Sequence, residues 1–236
     1  MSVGLFQSPD LTRSQEREES RPQEKSLRSA RGWNPEAFAR EQIRGLVRKI
    51  FLSNAARPVR QVVLSAVEPE TDVRSVCRRV GETLAQETLG HVAVVGEDWQ
   101  VLHETDHEFR GENRAEFPGM PLHRIATPVG GNLWLVPGAA SDRCQDTTAS
   151  LHSYLGEVRR EFEFSIVEGR PAGESNETAV MAQFADGIIL VLSAQHTRRA
   201  TACKIKEMLE GAQANLLGTV LSDRLFPVPE AIYRRL

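Results

Sequence analysis

The chain has 236 residues, of which 40% are hydrophobic and 26% are charged, and this is enough to build a sizeable core, which excludes a wholly disordered protein. Its 29 Lys and Arg residues against 32 Asp and Glu give a net charge of -3 at pH 7, so charge alone excludes a general affinity for nucleic acid or anionic membranes. No lysine lies between Lys49 and Lys204, which excludes functions that need a lysine in that span.

Cysteine usage and apolar run length indicate the compartment. The three cysteines, Cys77, Cys144 and Cys203, are far apart and form no CxxC pair, so neither a disulfide framework nor a cysteine metal site is indicated. Every apolar run is far shorter than the roughly 20 residues that cross a bilayer. We expect a cytoplasmic protein, peripheral to the inner membrane only through a partner.

The N-terminal region changes character near residue 33. Residues 1–32 are rich in Ser, Gln, Glu and Arg and poor in large apolar side chains, which predicts a flexible polar tail. Asn34 is a good N-cap and Pro35 a good first helical residue, and apolar residues then recur at helical spacing to about Ser53. We therefore expect a helix here, at the start of a single domain that spans residues 33–236.

After Pro58 the sequence alternates between short apolar runs and helical patterns. Strands that are buried on both faces have such runs, and strands that alternate with helices form a mostly parallel sheet. The predicted fold is an α/β three-layer sandwich with helices on both faces of the sheet, like that of P-loop NTPases. The runs are Val62–Ala66, Val92–Val95, Leu133–Val136, Phe164–Val167, Ile188–Leu192 and Leu216–Leu221. We expect turns at Pro128–Gly131 and Pro137–Gly138, where Pro and Gly cluster.

Ligands of such sheets bind beyond the carboxyl ends of the strands. The first strand and the helix after it have the layout of a P-loop unit, whose glycines and lysine bind phosphate and whose hydroxyl binds magnesium. In this chain the glycines and the lysine are absent. The predicted vestigial loop is Glu70, Thr71, Asp72, Val73, Arg74 and Ser75.

The residues of this unit resemble the cytoplasmic domain of bacterial tyrosine kinases (BY-kinases), relatives of MinD/ParA-type ATPases. The family loop reads SAxPGEGKTS, and Ser65, Ala66, Pro69 and Ser75 match it. The resemblance implies that Val73 replaces the phosphate-binding lysine. It also implies that Arg74 replaces the magnesium-binding hydroxyl, and that Glu70 and Asp72 replace the glycines.

The resemblance extends from about residue 34 to residue 222. Segment FADGIILVLSAQHTRR, which starts at Phe184, is similar to the family's FADGVVLVV segment. The two acidic motifs of the family correspond to HVAVVGEDW and FSIVEGRP, which keep Asp98 and place Glu168 where the family has aspartate. The resemblance thus implies that Asp98 and Glu168 are vestigial metal-site carboxylates.

The altered loop is expected to weaken nucleotide binding. Loss of the lysine contact costs about 1.5–3 kcal/mol, and a non-glycine residue at positive φ costs roughly 1–2 kcal/mol. The carboxylates of Glu70 and Asp72 would add repulsion of about 1 kcal/mol for each close pair with a triphosphate. Together these terms remove about three orders of magnitude of affinity. We therefore expect no ATP and no Mg²⁺ as cofactors.

Two further family features are present only in part. The family has a C-terminal tyrosine cluster, whereas this chain has Tyr233 alone near its end, either as a phospho-acceptor or as a packing residue. The family's ring-forming E-x-x-R-x-x-R helix corresponds to Glu41, Arg44 and Arg48, with the last arginine one residue late. These three side chains share a helical face, either as an oligomer interface or as a solvated salt-bridged surface.

One unrelated motif competes with this interpretation. His103, Glu104 and His107 match H-E-x-x-H, which binds zinc in hydrolases, but the stretch is highly polar and lacks an evident third ligand. We expect no metal site there.

The sequence therefore favours a catalytically degenerate BY-kinase-like protein that regulates or scaffolds exopolysaccharide synthesis. The expected partner is a membrane polysaccharide co-polymerase or an active BY-kinase paralogue, with homo-oligomers as a further form and nucleic acid excluded. The alternatives are an active ATP-dependent tyrosine autokinase of polysaccharide export and, less favoured, a zinc hydrolase.

Overall fold

A computed structural model describes residues 34–53, 58–96, 121–138 and 148–223. Residues Ala37–Leu225 form one compact unit. The second unit combines Met1–Glu36 with Phe226–Leu236, and only residues 34–36 of it are described. The expected polar tail of residues 1–32 lies outside the described residues, and the domain boundary at residue 33 stays a prediction.

The described elements alternate between helices and strands, as the sequence predicts. In chain order they are α1 (Pro35–Ile50), β1 (Gln61–Ala66), α2 (Val73–Glu87), β2 (Val92–Gly96), α3 (Leu122–Ile125), β3 (Thr127–Gly130), β4 (Leu133–Pro137), α4 (Thr148–Glu161), β5 (Phe164–Gly169), α5 (Glu177–Phe184), β6 (Gly187–Ser193), α6 (Arg199–Gly211) and β7 (Leu216–Ser222).

The seven strands form one mostly parallel sheet in the order β3-β4-β2-β5-β1-β6-β7. Strand β1 pairs in parallel with β5 on one side and with β6 on the other, so it lies inside the sheet. All six residues of β1 are buried, which fits a strand covered on both faces. The α/β class with a mostly parallel sheet is therefore confirmed.

Each face of the sheet carries its own core layer, because alternate residues of a strand point to opposite faces. The first core layer lies between the sheet and the helices α1 and α2, and it includes Val62, Leu64 and Leu84. The second core layer lies between the sheet and α3 to α6, and it includes Val63 and Leu155. Helices thus cover both faces, as expected from the buried runs.

Helix α1 begins as its sequence predicts. The Asn34 side chain accepts a hydrogen bond from the Glu36 backbone N–H at 3.0 Å, and Pro35 takes the first helical position. The helix ends at Ile50, slightly before the expected end near Ser53.

The prediction of a turn at Pro128–Gly131 is partly wrong. Residues Pro128 and Gly130 belong to β3, which pairs antiparallel with β4 at the edge of the sheet. Only the next residue, Gly131, lies in the turn, with a φ of 58°. Proline is tolerated in a strand at a sheet edge because its missing N–H is not needed there. At the second expected turn, Pro137 is the last residue of β4 and Gly138 follows it, and the residues after Gly138 lie outside the described part of the chain, so this turn stays a prediction.

Within the described residues, no helix is both long enough and apolar enough to span a membrane.

Candidate functional site at the carboxyl edge of the sheet

The loop of residues 67–72 joins β1 to α2 at the carboxyl edge of the sheet. Its first residue is tied to the neighbouring strand β6, because the Val67 N–H donates to the Val191 carbonyl at 3.3 Å. The next residue is tied to the turn after β6, because the Thr197 hydroxyl donates to Glu68 Oε2 at 2.8 Å. The same Thr197 oxygen accepts from the Ser193 N–H at 2.9 Å. Hydrogen bonds to β6 and to the turn after β6 therefore hold the start of the loop in place.

The end of β5 also supports this loop. The Ala172 N–H donates to the Ala66 carbonyl at 2.8 Å, and the Ser65 hydroxyl donates to the Arg170 carbonyl at 2.7 Å. A Cβ on Gly173 would lie 2.6 Å from the Val67 carbonyl oxygen, so this glycine permits the close approach of the two backbones.

Asp72 caps the first turn of α2. Its Oδ1 accepts from the Ser75 backbone N–H at 3.0 Å, and its Oδ2 accepts from the Ser75 hydroxyl. These two hydrogen bonds, the hydroxyl one first, lower the pKa of Asp72 below its ordinary value. The helix N–H that is free to meet an anion in a phosphate-binding loop is here bound to a carboxylate of the chain.

Val73, which the resemblance implies in place of the phosphate-binding lysine, faces the core. Val73 is 7% exposed and belongs to the first core layer, where Cys77 follows one helical turn later. A lysine at position 73 would place its charged amino group in the apolar core, which is costly, so it could reach a phosphate only if its side chain turned out of the core.

The loop backbone does not form a phosphate nest. Among the described non-glycine residues, only Gln213 and Asp223 have positive φ. A nest needs a residue with left-handed conformation to turn successive N–H groups toward one anion. The strain that we expect for Glu70 and Asp72 at positive φ is therefore absent, because the loop does not adopt the conformation that would cause it.

Glu168 lies in β5, opposite Leu64 of β1. Its Oε2 is 3.6 Å from Arg74 Nε, in the first turn of α2, and the two side chains are 18% and 41% exposed. Burial in the first place, and then the charge of Glu168, raise the pKa of the buried Cys77 thiol. The two predicted positions Arg74 and Glu168 are thus brought together as an ion pair.

A shallow depression lies beside Glu168 at the ends of β2, β4 and β5. Its second ion pair joins Arg170 Nε to Glu177 Oε2 at 3.7 Å. Tyr154, which also contributes to the lining, is buried, and its hydroxyl donates to the Pro137 carbonyl. The lining residues are Val95, Gly96, Gly138, Tyr154, Leu155, Val167, Glu168, Arg170, Glu177 and Met181.

The predicted interface residues of α1, Glu41, Arg44 and Arg48, lie on one face, and the two arginines share a partner, Glu87, that the sequence does not indicate. Arg48 binds the Glu87 carboxylate with two nitrogens, Nε at 3.1 Å from Oε2 and Nη2 at 2.9 Å from Oε1. Arg44 contacts Glu87 Oε1 through Nε at 3.2 Å and Glu41 Oε2 through Nη1 at 3.1 Å. This network ties α1 to the last turn of α2, and the oligomer interface stays a prediction.

Several predicted positions fall outside the described residues. These are Asp98, the H-E-x-x-H residues His103, Glu104 and His107, and Tyr233. Over the described parts of the chain, no group of three or more His, Cys, Asp or Glu side chains is placed to hold a metal ion.

The pairs Glu68–Thr197 and Arg170–Glu177 were not singled out from the sequence. Their positions follow the rule that the residues just after each parallel strand meet at one edge, and this rule selects the segments after β1, β5 and β6. The rule gives the neighbourhood, whereas the choice of partners depends on side-chain geometry.

The fold of this chain is similar to that of known protein structures. No protein-family model matches the chain, and no curated protein sequence matches it significantly. Solved structures do match. The kinase domain of the Escherichia coli tyrosine kinase ETK is similar with a TM-score of 0.63 and 14% identity, over 81% of this chain and 79% of that one. The VpsO kinase domain gives a TM-score of 0.62 and 15% identity, over 81% of this chain and 98% of that one.

The wider superfamily is represented as well. The MinD cell division protein of Aquifex aeolicus matches with a TM-score of 0.54 and 14% identity, over 75% of this chain and 72% of that one. At these identities the likeness establishes the fold. The chain has the fold of BY-kinase domains and of MinD/ParA P-loop ATPases, as its residues suggested.

Proposed function

We propose that this chain is a catalytically degenerate domain of BY-kinase fold that acts as a regulatory or scaffolding partner in exopolysaccharide synthesis. The observation that carries the proposal is the bond between Asp72 and Ser75, in which a carboxylate of the chain occupies the first turn of α2. A kinase of this fold would need that position for phosphate.

The residues of the loop do not fit a magnesium nucleotide. Val73 lies in the core, the loop has no left-handed residue, and Arg74 is engaged with Glu168. The charges of Glu70 and Asp72 would oppose a triphosphate. The proposal therefore assigns no reaction to this edge of the sheet, and it gives the domain a binding role.

The proposed partner is a membrane polysaccharide co-polymerase or an active BY-kinase paralogue. The similar kinase domains support this choice of system, since they share the fold of this chain over about four fifths of its length. The face of Glu41, Arg44 and Arg48 is the proposed surface for self-association or for association with the paralogue. A gene for either partner beside the gene of this chain would support the pathway, and a neighbourhood without polysaccharide genes would count against it.

Thermal unfolding with and without ATP and Mg²⁺ tests the loss of nucleotide binding. A ligand at 100 times its dissociation constant stabilises a protein by about 2.7 kcal/mol, which is readily measured. We expect no change of Tm up to millimolar Mg-ATP. A clear rise that Ser75→Ala abolishes would overturn the proposal in favour of an active ATPase and kinase. Ser75 is exposed, so the variant is expected to fold.

A further inference from the structure

Two carboxylates line the depression at the carboxyl edge, and each has its own arginine. Glu168 is paired with Arg74 from α2, and Glu177, at the start of α5, is paired with Arg170 from the segment after β5. Arg74 lies beside the depression and is not part of its lining, so it is Arg74 that brings the two arginines into balance with the two acids. The carboxylate oxygens of Glu168 and Glu177 are ligands of the kind that divalent cations prefer.

Glu168 needs a positive partner because of its position. Its side chain is only 18% exposed and lies in the strand next to β1, where water screens its charge poorly. A carboxylate in this setting is stabilised either by a bound cation or by a cationic side chain.

We propose that the Arg74 guanidinium is a built-in cation that takes the place of a divalent metal ion beside Glu168. The guanidinium is attached to the first turn of α2, so the ion pair joins α2 to β5 without any ligand. The edge of the sheet is then held in one ligand-free arrangement, which is the form that the partner meets. The inference rests on the proposed function, in which the domain binds no magnesium nucleotide. It attributes the absence of metal binding to one residue, Arg74.

The geometry gives a direct test. If Arg74 excludes a metal ion, its replacement by serine removes the guanidinium from beside the Glu168 carboxylate and adds a hydroxyl oxygen at the start of α2. The probe is Mn²⁺ alone, whose binding is read from the loss of the free-ion signal in electron paramagnetic resonance. We expect wild-type protein to bind no Mn²⁺ at about 1 mM, the range of weak cation sites. We expect Arg74→Ser to bind at least about tenfold more tightly than wild type.

Helix α2 offers a matched control. Arg78 is exposed one turn further along and pairs with Glu82 at 2.9 Å, so Arg78→Ser removes the same charge from the same helix without exposing Glu168. We expect this control to behave as wild type. The double variant Arg74→Ser with Glu168→Gln should lose the Mn²⁺ binding that Arg74→Ser gains. Arg74→Gln, which keeps a long polar side chain without the charge, replaces Arg74→Ser if the latter does not fold.

Each outcome decides the inference. Equal Mn²⁺ binding by wild type and Arg74→Ser, an equal gain in Arg78→Ser, or binding that survives Glu168→Gln would overturn it. These results differ from the one that would overturn the loss of nucleotide binding, which is a rise in the Tm of wild-type protein with Mg-ATP that Ser75→Ala abolishes. If Mg-ATP does not change the Tm of wild-type protein and Arg74→Ser gains no Mn²⁺ binding, the proposed function stands and the role of Arg74 is refuted.

Discussion

Asp72 stands where the resemblance to BY-kinases implies a glycine, and its carboxylate accepts a hydrogen bond from an N–H group in the first turn of α2. The sequence alone indicates only that the residue at this position is an aspartate. It does not show what this side chain does, because the N-cap geometry depends on the backbone angles of the loop. In the structure Asp72 has a φ of -72° and a ψ of 85°, and it turns its carboxylate back onto Ser75. Asp72 thus contributes a stabilising contact at the start of α2.

This contact leads to a prediction about pH. Replacing Asp72 with alanine removes the cap and should cost about 1 kcal/mol at pH 7, whereas asparagine caps nearly as well and should cost less. The folded protein lowers the pKa of Asp72 below 3.8, so the stabilisation is complete above that value and is lost as the pH falls through the lower folded pKa. Urea unfolding of wild type and the two variants at pH 7 and at acidic pH measures this.

The pH dependence separates the charge from the shape of the cap. The stability difference between wild type and Asp72→Asn should shrink as the carboxylate is protonated, because an amide does not titrate. A difference that stays constant down to the lowest pH at which the protein is folded would contradict the assigned role of the charged cap.

Among the secondary-structure elements, the ones that the sequence predicts well are those with an internal pattern. Helix α2 buries Val73, Cys77, Val80 and Leu84 at helical spacing, and β1 is a short, mostly apolar run that is buried throughout. Strand β3 has no such pattern. It exists because β4 pairs with it, and its Pro and Gly residues suggest a turn when they are read alone. The internal pattern of its own residues determines the first kind of element, and pairing with a neighbouring strand determines the second.

The same distinction applies to the candidate site. The loop and its departures from the family motif are readable in order along the chain. The pairs Arg74–Glu168 and Arg48–Glu87 join residues 94 and 39 positions apart, and no local pattern indicates them. Long-range ion pairs need the fold before they can be found.

The ion pairs between α1 and α2 lead to a prediction about stability. Glu87 is the common partner of Arg44 and Arg48. Glu87→Ala therefore removes the contacts of both arginines with α2, whereas Arg48→Ala removes the contact of one. We expect a loss of about 1–2 kcal/mol for Glu87→Ala and about 0.5–1 kcal/mol for Arg48→Ala. Both losses should shrink in high salt. Urea unfolding at low and high ionic strength is the measurement.

A pair within one helix serves as the control for this tie. Glu82→Ala breaks the contact with Arg78 in α2, which is exposed and joins residues four apart. It should cost no more than about 0.5 kcal/mol. If Glu87→Ala costs no more than Glu82→Ala, the network does not hold α1 against α2. The charged residues Glu41, Arg44 and Arg48 would then have no role in holding the two helices together, and their proposed role as an interface would be the one to test.

In the compact unit as a whole, the sheet is shared by two core layers. Neighbouring residues of one strand serve opposite layers, as Val62 and Val63 do in β1. Neither layer can lose its packing without exposing one face of the same strands. This sharing follows from the buried runs in the sequence, since a strand that is apolar at every position must be covered on both sides.

A single cooperative unfolding transition should therefore respond to changes in either layer. Leu84 and Leu155 are buried in the first and second core layers, and truncation of each to alanine should cost about 2–5 kcal/mol. Leu89, which is fully exposed, supplies the matched control, and Leu89→Ala should change stability by no more than about 0.5 kcal/mol. Far-UV circular dichroism and tryptophan fluorescence should give coincident urea transitions for all three variants. If Leu84→Ala shifted only part of the transition, or if the two signals separated, the layers would be unfolding independently, and the continuous sheet would not be coupling them.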